Sequence, residues 1–328
     1  MANQVRIGFI GCGGISHGHV RNIAAIPEAR IVALCDTDPT RIKVMKAGHP
    51  QTKDLPEFDD YKKMLDALEM DAVEIHTPHT LHFEQIMASL DKGLHVLTEK
   101  PMVCSVSHAK QVVAKVQQTS KVLLVSYQRH FQGPFRYMRD VIQSGQLGEV
   151  QFVSALQCQD WKRSQQGRWR LEPKLSGGGQ LNDSGSHLVD ILLWMTGLSV
   201  SEVSAFIDNL GEKVDINSAI TLKFKGGAQG TISIVGNAPT WWEDITIWGS
   251  AGTLFYRNGQ LKHVMGWGRE THEISGWPGG MSPDRNFVDA ILGKTKVESP
   301  VTCGLRVIEL SEAAWKSAAL NGKPVKVK

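Results

Sequence analysis

Residues 5–26 read VRIGFIGCGGISHGHVRNIAAI. The first six, Val5–Ile10, are apolar and of strand length, and glycines follow at once. Past the turn Gly11-Cys12-Gly13-Gly14-Ile15-Ser16 a helical pattern runs from His17 to Ile26. A strand, a tight glycine turn and a helix start together make an anion site, because bare backbone lets a phosphate approach the first helical amides. Gly11 and Gly13 fit the turn and the close approach, and Gly14 and Ile15 continue it. Ser16 stands where a third glycine or alanine is usual. A glycine pattern this degenerate is weak alone. Asp36 strengthens it: it ends the next apolar run, 20 residues past Ser16, where an acid binds the adenosine ribose hydroxyls. Its charge would oppose a 2′-phosphate by on the order of a few kcal/mol. The turn is therefore expected to hold the pyrophosphate of NAD, with Arg41 close enough in sequence to leave NADP open.

Outward from this stretch, short apolar runs alternate with helical patterns. Val5–Ile10, Ile31–Cys35, Ala72–His76, His95–Leu97 and Val122–Val125 read as buried strands. His17–Ile26, Thr40–Ala47, Tyr61–Leu68, Thr80–Lys92 and Ser107–Thr119 read as helices. That alternation predicts an α/β domain over residues 1–126, a doubly wound parallel sheet whose carboxyl edge binds ligands. From about residue 128 the rhythm changes. Phe135–Ser144 reads as helix, Val150–Gln157 as strand, and a polar, aromatic loop spans 159–176. A helix is expected from about Leu181 to Met195. Strand-like runs follow: Val203–Ile207, Ser218–Phe224, Gly230–Val235, Asp244–Gly249 and Thr253–Arg257. Gly226-Gly227 reads as a hairpin turn. An α+β domain over 127–328 with a mostly antiparallel sheet is expected, its last helix at about 304–320.

Bulk properties narrow the function classes. The 328 residues are 41% hydrophobic and 21% charged, ordinary for a globular chain that needs no staple. The net charge of +3 comes from scattered residues, which argues against a nucleic-acid partner. Cys12, Cys35, Cys104, Cys158 and Cys303 form no C-x-x-C pair, so no zinc or redox motif is read. No signal peptide or membrane span is read, and a reducing, cytoplasmic setting is expected. His76, His79 and His82 recur every three residues, but Pro78 interrupts them and no metal is expected.

Three further segments resemble those of a known family. They are Thr77-Pro78 followed by His82, Glu99-Lys100-Pro101 after a strand, and Gly177-Gly178-Gly179-Gln180-Leu181-Asn182-Asp183-Ser184-Gly185-Ser186-His187. With Trp169-Arg170 and Trp248-Gly249-Ser250-Ala251-Gly252-Thr253, the chain resembles glucose-fructose oxidoreductase and inositol dehydrogenase (Gfo/Idh/MocA) over nearly its whole length. The resemblance implies a Rossmann domain and a second domain with a large open sheet. It implies NAD(P)-dependent oxidation or reduction of a carbinol carbon on a sugar, cyclitol or derivative. It places Thr77, Pro78, His82, Glu99, Lys100, Trp169 and Arg170 at the cofactor. His79 departs from the family's usual Asn.

Hydride transfer from a secondary alcohol needs a group to exchange the hydroxyl proton. Lys100 ends a parallel strand on the ligand edge, and a lysine removed from water gives up its proton more readily. Asp183 and His187 are spaced i, i+4, which on a helix shares one face and lets a carboxylate orient an imidazole. The resemblance implies that His187 exchanges the proton, Asp183 positions substrate or histidine, and Lys100 holds the reacting oxygen. Which of Lys100 and His187 is the formal base stays open. Asp190, three residues past His187, reads as a second orienter or, in preference, as a helix-face charge. Arg129 and Tyr127 are candidates for a sugar hydroxyl, and Trp161 for an aromatic platform under a sugar ring. Two other functions compete: a redox-assisted glycosidase or lyase that recycles bound NAD, and a sensor without catalysis. A large open sheet predicts a homodimer or homotetramer.

Overall fold

The computed structural model describes residues 4–277 and 280–327. They form two compact units. The first runs through Val103 and adds Ser107–Gln128 and Met281–Leu305; the second holds Cys104–Val106, Arg129–Gly280 and the chain from Arg306. Residues 281–305, which the division at 126/127 gave to the second domain, thus pack in the first unit.

The first unit is built on six parallel strands: β1 (Val5–Ile10), β2 (Ala29–Cys35), β3 (Glu57–Phe58), β4 (Ala72–Ile75), β5 (His95–Thr98) and β6 (Leu123–Val125). Their order is β3-β2-β1-β4-β5-β6. β1 is central and almost wholly buried, which is why it reads as one apolar run. The strand order reverses between β1 and β4, the place where a doubly wound sheet opens a crevice at its carboxyl edge. Helix α1 (Ser16–Ala24) buries Ser16, His19, Val20 and Ile23, one face at helical spacing. Val20 and Ile23 pack in a core that also holds Phe287 and Val288. β3 was not foreseen, since two residues, one an exposed glutamate, give no period to read.

The second unit contains a nine-stranded sheet. Its strands are β7 (Val150–Cys158), β8 (Val200–Asp208), β9 (Asn217–Phe224), β10 (Gln229–Val235), β11 (Trp242–Gly249), β12 (Gly252–Arg257), β13 (Gln260–Met265), β14 (Glu270–Ile274) and β15 (Val325–Lys326). The order is β14-β13-β12-β11-β7-β10-β9-β8-β15. Every pairing is antiparallel except β7 with β10. β9 turns into β10 at Gly226-Gly227, as expected, with Gly227 at φ +95°. β9 alternates buried and exposed residues, so one face meets the core. The helix Gly185–Thr196 packs on β7 and against the helix Gly133–Gln143. Other positions stay open: Phe206, Trp242 and Trp248 are exposed.

Candidate active site

The glycine turn follows from packing as well as from ligand access. Gly11 has φ +97°, and a Cβ there would meet the His76 carbonyl carbon at 2.9 Å. Only glycine fits, because the carboxyl ends of β1 and β4 converge at this point. Gly14 is different: a Cβ there would meet no protein atom within 4 Å. The first helical amides have no intrahelical acceptor. The first turn of α1 carries no acidic residue, and Ile15 at its start makes no side-chain cap. Ser16, at the third small position, is fully buried and donates its hydroxyl to the Gly13 carbonyl at 2.6 Å. A bare turn, a dipole end and no competing carboxylate fit a dinucleotide pyrophosphate.

Asp36 stands just past β2 and accepts from the Cys12 amide at 2.8 Å and the Asp38 amide at 2.9 Å. Its carboxylate is thus fixed beside the turn, with lone pairs left for ribose hydroxyls. The Arg41 guanidinium approaches the Cβ position of Gly13 to 3.7 Å and pairs with Asp38.

The two loops beyond β4 and β5 are tied together by His82. Its Nδ1 lies 2.9 Å from the Pro101 carbonyl and its Nε2 2.9 Å from the Thr77 carbonyl. His82 is fully buried, and burial lowers its pKa to about 4. The expectation of direct cofactor contact by His82 is therefore corrected: the neutral ring donates its one N–H to one of these carbonyls and lies against the other, and the residue braces the loops. Thr77 donates its hydroxyl to Gln85 at 2.6 Å. Glu99 is also turned inward. It accepts from His19 Nε2 at 3.1 Å and from the Lys100 amide at 3.2 Å. Burial alone would raise its pKa, but His19 and Lys100 hold its carboxyl far below the usual range. Lys100 itself is half-buried just beyond β5.

In the second unit each glycine of the G-G-G-x-L-x-D-x-G-x-H segment has a reason. Gly177 is left-handed at φ +65°. A Cβ on Gly178 would strike Trp315, and one on Gly179 would fall 1.9 Å from the Asp215 carbonyl oxygen. One on Gly185 would strike Ile234. Asp215, unnoticed in the sequence, is the anchor. Its carboxylate accepts from the amides of Gly179 at 2.8 Å and Leu181 at 2.7 Å, and from Trp315 Nε1 at 3.1 Å. Burial raises its pKa, and the two amides oppose that.

These ties delay the helix. It begins at Gly185, not near Leu181, and Asp183 lies in the turn before it. The pairing of Asp183 and His187 on one helical face is thus corrected. Asp183 is buried and accepts from Trp161 Nε1 and from Arg170 Nε, each at 2.8 Å. Arg170 in turn lies 4.4 Å over the Trp169 ring. Trp161 is 1% exposed and packs with Val214 and Ile216, so it is no open platform for a sugar ring. Within Gly185–Thr196 every residue is buried except His187. Asp190, expected at a surface, is buried with its carboxylate 2.6 Å from His130 Nε2. Arg129 is committed to the buried Glu243 at 2.5 Å, and Tyr127 is fully buried; neither presents a free group to a substrate.

Residues 5–127 match the oxidoreductase family with an NAD-binding Rossmann fold, and residues 135–255 match the GFO/IDH/MocA C-terminal domain. The chain belongs to the Gfo/Idh/MocA family. Among the relatives of this family member, scyllo-inositol 2-dehydrogenase (NAD(+)) of Bacillus subtilis (strain 168) is 26% identical over 275 residues, 80% of this chain and 76% of that protein. D-glucoside 3-dehydrogenase of Escherichia coli (strain K12) is 26% identical over 208 residues, 62% of this chain and 58% of that protein, short of two thirds of its length. The fold is shared with the WlbA dehydrogenase from Bordetella pertussis in complex with NADH and UDP-GlcNAcA. That likeness has a TM-score of 0.87 at 24% identity and covers 99% of each chain.

Proposed function

We propose that this Gfo/Idh/MocA member is an NAD-dependent dehydrogenase that acts on a secondary hydroxyl or keto carbon of a sugar, cyclitol or derivative. One observation carries the reading: in an otherwise buried helix, His187 alone stays accessible, directly after a glycine segment built to hold its shape. A histidine left accessible there can trade a proton with a bound hydroxyl. Residues 1–126 serve the cofactor through Gly11, Gly13, Gly14, Ile15 and Asp36, with Thr77, Pro78 and Glu99 shaping its far end. NAD, when bound, supplies the hydride acceptor. Lys100 holds the reacting oxygen, and His187 takes or returns its proton. Asp183, held by Trp161 and Arg170, positions the substrate. Trp169 and Arg170 border the cofactor. Residues 127–328 bind substrate and assemble the protein as a homodimer or homotetramer. The exposed Phe206, Trp242 and Trp248 support that assembly, since an aromatic sheet face calls for a cover.

The partner is a small polyhydroxylated molecule rather than a nucleic acid or a membrane. The scattered charge supports this, and no described helix is long and apolar enough to cross a membrane. None of the five cysteines is joined in a disulfide, which supports a cytoplasmic setting. The test is a screen of inositols, hexoses, amino sugars and sugar acids for NAD reduction, with His187→Ala and Lys100→Ala alongside. Turnover with at least one polyol, lost by roughly 100-fold or more in each variant, is expected for groups that move or hold the transferred proton. Product formed with no net change in the absorbance of reduced cofactor would instead indicate a recycling lyase.

A further inference from the structure

The first unit holds a second cluster of ionisable groups, and it faces away from solvent. His19 comes from α1, Glu74 from β4, His76 from the end of β4, Glu99 from the end of β5, and Asp284 from the helix Pro283–Ile291. All five are nine-tenths or more buried. Three carboxyl groups and two imidazoles in a water-excluded space are costly unless protons or a cation balance them. Some of that balance is visible. His19 Nδ1 lies 2.7 Å from Asp284 Oδ1, and His19 Nε2 lies 3.1 Å from Glu99 Oε1. Asn22 donates to the other Asp284 oxygen at 2.8 Å.

Glu74 is not balanced. Its side chain has no exposed surface, and neither carboxylate oxygen makes a hydrogen bond. His76 Nε2 makes none either. These atoms face one another: Glu74 Oε2 is 3.4 Å from His76 Nε2 and 3.6 Å from His19 Nδ1. All three ligand atoms lie within 4.8 Å of one another. Donors about 2.0–2.1 Å from a tetrahedral zinc are separated by roughly 3.3 Å along each edge. Two edges here are close to that length.

We propose that His19 Nδ1, Glu74 Oε2 and His76 Nε2 form a buried structural site for a divalent cation of the zinc class. The donor set suits such an ion, since two imidazoles and a carboxylate are ligands of zinc and its neighbours rather than of calcium or magnesium. Asp284 Oδ1 adjoins the same His19 nitrogen at 2.7 Å and offers a further carboxylate beside the three donors. Glu99 on Nε2 then acts as the outer carboxylate that orients a metal-bound histidine. Without metal, the Nδ1 proton of His19 rests toward Asp284; metal entry displaces that proton and any proton on Glu74 to solvent. The site belongs to the first unit alone and does not depend on the proposed reaction.

The test uses the full chain, stripped with a chelator, reloaded with zinc chloride and desalted. Elemental analysis is expected to find about one zinc per chain, with a rise in melting temperature and proton release on binding. Cobalt loading of the wild type is expected to give the visible bands of a tetrahedral nitrogen–oxygen site. Glu74→Gln and His76→Ala should each weaken zinc binding by at least roughly tenfold and abolish the melting shift. A wild type that retains no zinc and shows no cobalt bands would overturn the proposal, leaving the cluster balanced by protons alone. Retention by both variants would overturn it too. It would assign the zinc to another pair such as His17 and His49, whose ring nitrogens lie 2.8 Å apart. If a variant does not fold, the cobalt spectrum of the wild type still decides.

Discussion

Alanine at Gly11 and alanine at Gly14 should do opposite things, though the two sit in one turn. At Gly11 the new Cβ meets the His76 carbonyl carbon at 2.9 Å and its oxygen at 3.0 Å, and the backbone is left-handed at φ +97°. The left-handed conformation costs a non-glycine residue about 1–2 kcal/mol, and a clash against backbone adds about 1–3 kcal/mol. Gly11→Ala is therefore expected to destabilise the first unit by roughly 2–5 kcal/mol. At Gly14 the same methyl meets nothing within 4 Å, and loss of glycine's freedom in the unfolded chain is worth about 0.4–1 kcal/mol in favour of folding. Gly14→Ala should thus fold as well as the wild type. Its methyl, however, enters the space a pyrophosphate needs. A steric cost of about 1–3 kcal/mol becomes roughly a 5- to 150-fold rise in the Kd for NAD at 1.4 kcal/mol per tenfold. Chemical unfolding followed by circular dichroism, with calorimetric titration of NAD, separates the two effects. Wild-type NAD affinity in Gly14→Ala would refute the assignment of this turn to the pyrophosphate. Wild-type stability in Gly11→Ala would refute the packing argument.

Trp161→Phe removes a donor to the buried Asp183 carboxylate, a charged hydrogen bond worth about 1.5–3 kcal/mol. Its unfolding midpoint should fall and its kcat drop while NAD affinity holds. Gly179→Ala places a Cβ 1.9 Å from the Asp215 carbonyl oxygen; a cost above about 3 kcal/mol should keep it from accumulating as folded protein. His82 has its pKa lowered by burial to about 4. The stability of its neutral form is complete above the ordinary imidazole value and is lost as pH falls toward 4. Between those limits the wild type should lose roughly 3 kcal/mol more than His82→Gln, measured as unfolding midpoint against pH.

The sequence by itself determined the class of the molecule. Local patterns suffice for that: a buried central strand is one apolar run, and a turn that must be left-handed is a glycine. The G-G-G-x-L-x-D-x-G-x-H segment was equally readable, because its glycines are forced by a left-handed backbone at Gly177 and by a neighbour's approach at Gly178, Gly179 and Gly185. What each polar side chain touches was decided only by tertiary structure. Trp161 looked like an open aromatic platform, and packing with Val214 and Ile216 made it a buried donor to Asp183. His82 looked like a cofactor contact and became a brace between two carbonyls. Asp183 and His187 shared a spacing but not a helix, since Asp215 holds the amides that would have begun it. His19, Glu74 and Asp284 gave no signal, being far apart along the chain. They meet because residues 281–305 return to the first unit and a parallel sheet sets its carboxyl ends side by side. Periodicity records which way a residue faces; it does not record which distant residue faces back.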